Sequence, residues 1–128
     1  MTRLINVLSL LALLMLAAQS HATDDASQID VCRDYSLIAK RVMTARQKRQ
    51  PMSETLPYTM KLIEEWAKKY AMEMDSNMIE EGATLLVIPA YETDIFPNDS
   101  LWNEDRQDTI NEFENRAFEH CYESMTTD

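Results

Sequence analysis

The sequence predicts an all-α protein, a small single-domain helical bundle of about four helices whose terminal helices are joined by one disulfide. Three observations lead there. Gly82 is the one glycine in 128 residues, and a fold of tight hairpins, whose favoured turns need positive φ, has little to turn with. Met, Ala, Leu, Glu, Lys and Gln, all good helix formers, recur throughout the chain. Two cysteines, Cys32 and Cys121, stand near opposite ends of the chain beyond its N-terminal apolar run.

That run comes first. Arg3 and the amino terminus provide a positive start ahead of a largely apolar run of 15 residues, Leu4 to Ala18. A membrane-spanning helix needs about 20 such residues, whereas the apolar region of a signal peptide holds about 7 to 15. Ser20-His21-Ala22 then places small residues where a signal peptidase reads. The expectation is a signal peptide over 1–22, cleaved after Ala22, and a single helical domain over 23–128. The protein is then periplasmic or secreted, with no stable membrane anchor after cleavage.

Asp and Glu number 22 against 12 Lys and Arg, a formal charge of -10. Loss of Arg3 with the signal peptide leaves 11 basic and 22 acidic residues, or -11. A field of that sign repels nucleic acid. The charge is divided unevenly: residues 33–69 hold nine basic and four acidic side chains, residues 70–128 two basic and fifteen acidic. Such a split suits a basic patch for an acidic partner, but oppositely charged helix faces gain a few tenths of a kcal/mol per exposed pair by adjacency, and the expectation is that the two halves face each other.

The first helix is expected over about Ser27 to Lys48, with Val31, Tyr35, Ile38, Val42 and Ala45 on one face and Cys32 and Ala39 beside them. Arg46, Lys48 and Arg49 crowd its last turn, where cations suit the negative end of the helix dipole. Pro51 ends the segment and Ser53 is a candidate N-cap for a second helix, Glu54 to Glu73, that passes Pro57. Its buried side should contain Leu62, Ile63, Trp66, Tyr70 and Met74, and Asp75, Ser76 and Asn77 interrupt it. The segment Met78 to Tyr91 reads as a helix kinked or ended near Pro89. Its apolar run Thr84 to Ile88 fits a buried strand equally well by periodicity, but a lone strand lacks a partner. Glu92 to Leu101 is a loop. Asn103 then caps a last helix with Glu104 and Asp105 in its first turn, Ile110, Phe113, Ala117 and Cys121 inside, and Phe118 and Tyr122 at the border.

Antiparallel packing of the terminal helices brings Cys32 to Cys121, and in an oxidising compartment the expected result is one disulfide closing most of the domain. A loop of that size contributes on the order of 4 kcal/mol by the chain-entropy argument. Two inert buried thiols and a catalytic pair are the alternatives, and no Cys-x-x-Cys occurs.

Four blocks carry a resemblance. They are Val31-Cys32-Arg33-Asp34-Tyr35-Ser36-Leu37-Ile38-Ala39-Lys40-Arg41-Val42-Met43-Thr44-Ala45-Arg46-Gln47, then Pro51-Met52-Ser53-Glu54, Ala90-Tyr91-Glu92, and Ile110-Asn111-Glu112-Phe113-Glu114-Asn115-Arg116-Ala117-Phe118-Glu119-His120-Cys121. Together they cover somewhat under half of 23–128 and resemble a family of small exported proteins of bacterial phages and prophages. The paired cysteines and Arg46-Gln47 are the most distinctive parts. The chain departs from that pattern at Arg49, where the family tends to have glycine, and at Pro89, where a helix-compatible residue is usual. The resemblance implies an exported helical domain and carries no activity.

Little in the chain points to chemistry. His120, beside Cys121, is the one histidine after residue 22; with Glu112 or Glu123 it makes an incomplete acid–base or metal set on one helix surface. No nucleophile elbow, phosphate loop or His-Glu-x-x-His pattern occurs. The oxygen-rich stretch Asn98-Asp99-Ser100 to Asn103-Glu104-Asp105 lacks the glycine and alternating ligands of an EF-hand and reads as a loop with a helix cap. No catalytic residue, metal or cofactor is expected. Arg46, Gln47 and Arg49 form a candidate interaction surface, the simpler view being that Arg46 tethers an acidic residue of the last helix. The leading expectation is a non-catalytic interaction protein whose partner is an unknown envelope protein, in the manner of a phage or prophage modulator of the host envelope. A periplasmic acid-stress chaperone comes second and a small hydrolase third.

Overall fold

The computed structural model describes residues 28–126. The signal peptide, its cleavage point after Ala22 and the expected helix start at Ser27 lie outside the described residues. The chain divides into two compact units between Asp30 and Val31; of the first, residues 28–30 are described and are helical. The elements of the second are α1 (helical through residue 47), α2 (Met52–Lys69), α3 (Ser76–Glu92), a short 3-10 turn (Ser100–Trp102) and α4 (Asn103–Thr126). No strand occurs among the described residues. The all-α expectation holds, and the Thr84 to Ile88 run is helix.

The face expected of α1 is buried at Val31, Ile38, Val42 and Ala45, but the helix is covered on more than that face. Cys32, Ala39 and Met43, set beside it, are as deeply buried as any side chain in the domain. α1 is therefore the element that the others pack around. Trp66 of α2 donates from Nε1 to the Val31 carbonyl at 2.9 Å, and Lys40 pairs with Glu114 of α4 at 3.6 Å.

α1 closes with a Schellman turn in which Arg49 N–H bonds to Arg46 O and Gln50 N–H to Ala45 O. The turn demands a left-handed residue, and Arg49 supplies it at φ 63°. The tight exit is thus made without the glycine that usually makes it. α2 ends the same way: Ala71 sits at φ 52°, with Ala71 N–H on Lys68 O and Met72 N–H on Ala67 O. α2 accordingly stops at Lys69, short of the expected Glu73.

At its other end α2 starts at Met52 with Pro51 as the capping residue and no side-chain cap, so Ser53 lies inside the first turn instead of capping it. Pro51, held at φ -67°, is already set for entry into a helix. The buried row of α2 runs Thr55, Thr59, Ile63, Ala67, each one helical turn from the next. Of the residues expected there, Ile63 is buried while Leu62, Trp66, Tyr70 and Met74 are half-buried at the margins. Thr59 is accommodated because its hydroxyl donates to Thr55 O at 2.7 Å, leaving a methyl group to pack. Thr55 Oγ1 lies 2.6 Å from Tyr91 Oη, which itself donates to Gln50 O at 2.6 Å.

α3 begins one residue after Asp75, whose carboxylate accepts from Met78 N–H at 2.8 Å. The residues expected to interrupt α2 thus start α3. The helix continues through Pro89 to Glu92. Pro89 is exposed, so the Leu85 carbonyl that loses its amide partner faces solvent rather than the core. Gly82 sits mid-helix opposite Ile63 of α2. α4 then runs from Asn103 and places Ile110, Ala117 and Cys121 inward as expected, with Phe113 half-buried.

Cys32 and Cys121 are joined, their Cα atoms 5.5 Å apart across 89 residues of sequence. The bond ties α1 to α4 beside Met125, whose sulfur lies 3.7 Å from Cys32 Sγ.

Candidate functional site

Arg46, Gln47 and Arg49 lie in and just beyond the last turn of α1, and the structure sets the first two apart from the third. Arg46 turns toward the end of α3: Nε and Nη2 both donate to the Thr93 carbonyl at 3.1 Å, and the guanidinium stands over the Tyr91 ring at 5.1 Å. Its anchor is this carbonyl and ring, not an acidic residue of the last helix. Gln47 is buried and uses both ends of its amide, Nε2 donating to Asp94 O at 2.9 Å and Oε1 accepting from Phe96 N–H at 3.1 Å. That is the pairing a neighbouring strand would offer, and it fixes the start of the α3–α4 connection. Arg46 and Gln47 therefore latch a loop to α1, and neither is presented as an open contact surface. Arg49 is exposed.

The largest group of exposed apolar side chains on one helix belongs to α3. Leu85 is 68% exposed, Met78 46% and Ile88 39%. Spaced at three and four residues with Glu81 and Glu92, they make one stripe down the outer side, while Ala83, Leu86, Val87 and Ala90 are buried on the other. A helix that is apolar on both sides is a helix meant to be covered on both sides. Composition alone reads Thr84 to Ile88 as core; the structure splits it into Leu86 and Val87 inside and Leu85 and Ile88 outside.

Beside the stripe lies a groove of about 270 Å³ between α3 and α4. Leu85, Pro89 and Phe113 form its apolar wall, Tyr35 its α1 side, and Arg116 and His120 its polar edge. Burial raises the Tyr35 phenol above its ordinary pKa where it lines the groove. Arg116 pairs with Glu112 one turn away. His120 is exposed, and among the described residues no group of three or more His, Cys, Asp or Glu side chains converges as metal ligands. In the oxygen-rich stretch, Asp99 accepts from Leu101 N–H at 2.7 Å and Asn103 accepts from Arg106, so these oxygens serve the turn and the helix start.

Outside the groove, Asp34 receives Lys69 Nζ at 2.7 Å and Tyr70 Oη at 2.5 Å. The Lys69 hydrogen bond first, and the Tyr70 bond after it, hold the Asp34 carboxyl below the usual carboxylate range. No helix of the described residues is long and apolar enough to cross a membrane. Comparison with protein-family models, with curated proteins and with solved structures finds no match.

Proposed function

We propose that the protein is an exported, non-catalytic interaction protein that docks on an envelope protein through the outer face of α3. The single observation that supports this most is the stripe Met78, Leu85 and Ile88, which leaves a helix of an otherwise closed domain half covered. A protein partner suits it better than a lipid surface, because Glu81 and Glu92 share the stripe and residues 70–128 hold fifteen acidic side chains against two basic ones. Anionic headgroups would be repelled. The partner's complementary surface is apolar with cationic margins, and a helix or loop lying along α3 would also fill the adjoining groove.

Export into the periplasm or beyond rests on the N-terminal segment and agrees with a disulfide, which such compartments maintain. A role as a phage or prophage modulator of the host envelope rests on the sequence resemblance. Leu85→Glu tests the docking face: the variant should keep its thermal midpoint, since the side chain is mostly in solvent, and lose capture of the partner from envelope extracts. Undiminished capture by the variant would remove α3 from the account.

A further inference from the structure

A second cleft, of about 460 Å³, lies where the end of α1 meets the start of α4. Its cations are Lys48, Arg49 and Arg106, its neutral amides include Asn98, Asn103 and Gln107, and no carboxylate lines it. In a chain with 22 acidic residues against 12 basic ones, a concave surface with cations alone is the reverse of what the composition supplies.

Helix-dipole complementation accounts for part of this set only. Lys48 and Arg49 stand at the C-terminal end of α1, where positive charge complements the helix dipole. Arg106 has no such reason: it is in the first turn of α4, the end at which the dipole disfavours a cation. Its guanidinium is held by the Pro97 and Asp99 carbonyls and by Asn103 Oδ1, all neutral oxygens. They orient the group without cancelling its charge, and those three bonds leave two of its five N–H donors unused. None of the three cations has a carboxylate partner among the described residues. Asn103, with its oxygen occupied by Arg106, keeps its amide N–H groups for the cleft.

We infer that this cleft binds a phosphate monoester, the dianion received between Lys48 and Arg49 on one side and Arg106 on the other. Two arginines suit phosphate because the planar fork meets two oxygens at once. The volume is that of a small-molecule site, with room for a phosphate and a compact organic group. The source of the monoester is either a free small molecule or a lipid headgroup of the same chemistry. This inference is independent of the α3 face, from which no residue contributes to the cleft.

The test is calorimetric titration of the protein with glycerol 3-phosphate and with glycerol, alongside sedimentation with vesicles of phosphatidic acid and of phosphatidylcholine. Binding of glycerol 3-phosphate but not glycerol assigns a free ester; retention by phosphatidic acid vesicles alone assigns the headgroup; either supports the site. Lys48→Gln and Arg49→Gly should each weaken the observed binding at least about tenfold, the usual value of a hydrogen bond to a charged group. Arg49→Gly also relieves the left-handed backbone at that position, so lost binding with an unchanged or higher thermal midpoint separates loss of the ligand group from misfolding. Failure of both phosphate probes to bind overturns the inference, as does binding that the Lys48→Gln, Arg49→Gly double variant retains in full.

Discussion

Opening the Cys32–Cys121 bond perturbs the whole domain through one covalent link. The bond spans 89 residues, and removing the corresponding restraint from the unfolded chain is worth about 4 to 5 kcal/mol in the chain-entropy model. Alanine is the appropriate replacement at both positions. Cys32 has no exposed surface and Cys121 little, so serine would add a hydroxyl to bury and confuse the cross-link with a polar penalty. Domains of this size hold about 5 to 15 kcal/mol in all, so the Cys32→Ala, Cys121→Ala protein should lose roughly a quarter or more of its stability. At about 4 to 8 °C per kcal/mol the thermal midpoint should fall by roughly 16 to 40 °C. Thermal unfolding followed by far-ultraviolet circular dichroism, on the oxidised protein, the reduced protein and the alanine pair, measures this. The reduced protein and the alanine pair should melt close together and far below the oxidised one. A midpoint difference under about 5 °C would refute the reasoning, since it would mean that the non-covalent packing of α1 and α4 alone restrains the chain.

The backbone and the surface give two further expectations. Ala71→Gly should raise stability by about 0.5 to 1 kcal/mol, because Ala71 holds the left-handed end of α2 at φ 52° where glycine meets no Cβ penalty; a denaturant midpoint that falls would count against the Schellman assignment. The Asp34 cluster makes stability depend on pH at both extremes. Asp34 has its folded pKa lowered by Lys69 and Tyr70, so its contribution is present above the ordinary carboxylate value and is lost as the pH falls below about 4 and through the lowered value. Lys69 and Tyr70 have theirs raised, each chiefly by its hydrogen bond to Asp34, so their contributions are lost as the pH rises through those higher values. Asp34→Asn should flatten both limbs of a plot of thermal midpoint against pH, and an unchanged profile would show that the cluster carries no linkage.

The fold class was legible because its signals are local or covalent. One glycine, helix-forming composition and two end-placed cysteines all act without knowledge of the tertiary contacts. The inner row of α2 was not, since Thr55 and Thr59 count as polar until their hydroxyls are seen bonded within the helix and to Tyr91. Asp75 read as an interruption because a residue that ends one helical pattern and a residue that caps the next look alike in sequence. Arg46 and Gln47 stood out as a pair, but their partners are backbone groups at residues 93, 94 and 96, which no side-chain pattern announces. The α3 stripe was hidden for a related reason. Leu85, Leu86, Val87 and Ile88 are similarly apolar, and only the packing of α3 against the other helices decides which pair faces out. Arg106 escaped notice because its importance depends on two cations more than fifty residues earlier in the chain.

The proposed docking role of α3 is tested most directly by a photo-crosslinking residue placed at Leu85 and, as a control, at Lys61, an exposed position on α2. Irradiation in envelope extracts should join the position-85 protein to one partner and leave the position-61 protein unlinked. Equal labelling from both positions, or none from position 85, would contradict the claim that this helix carries the function.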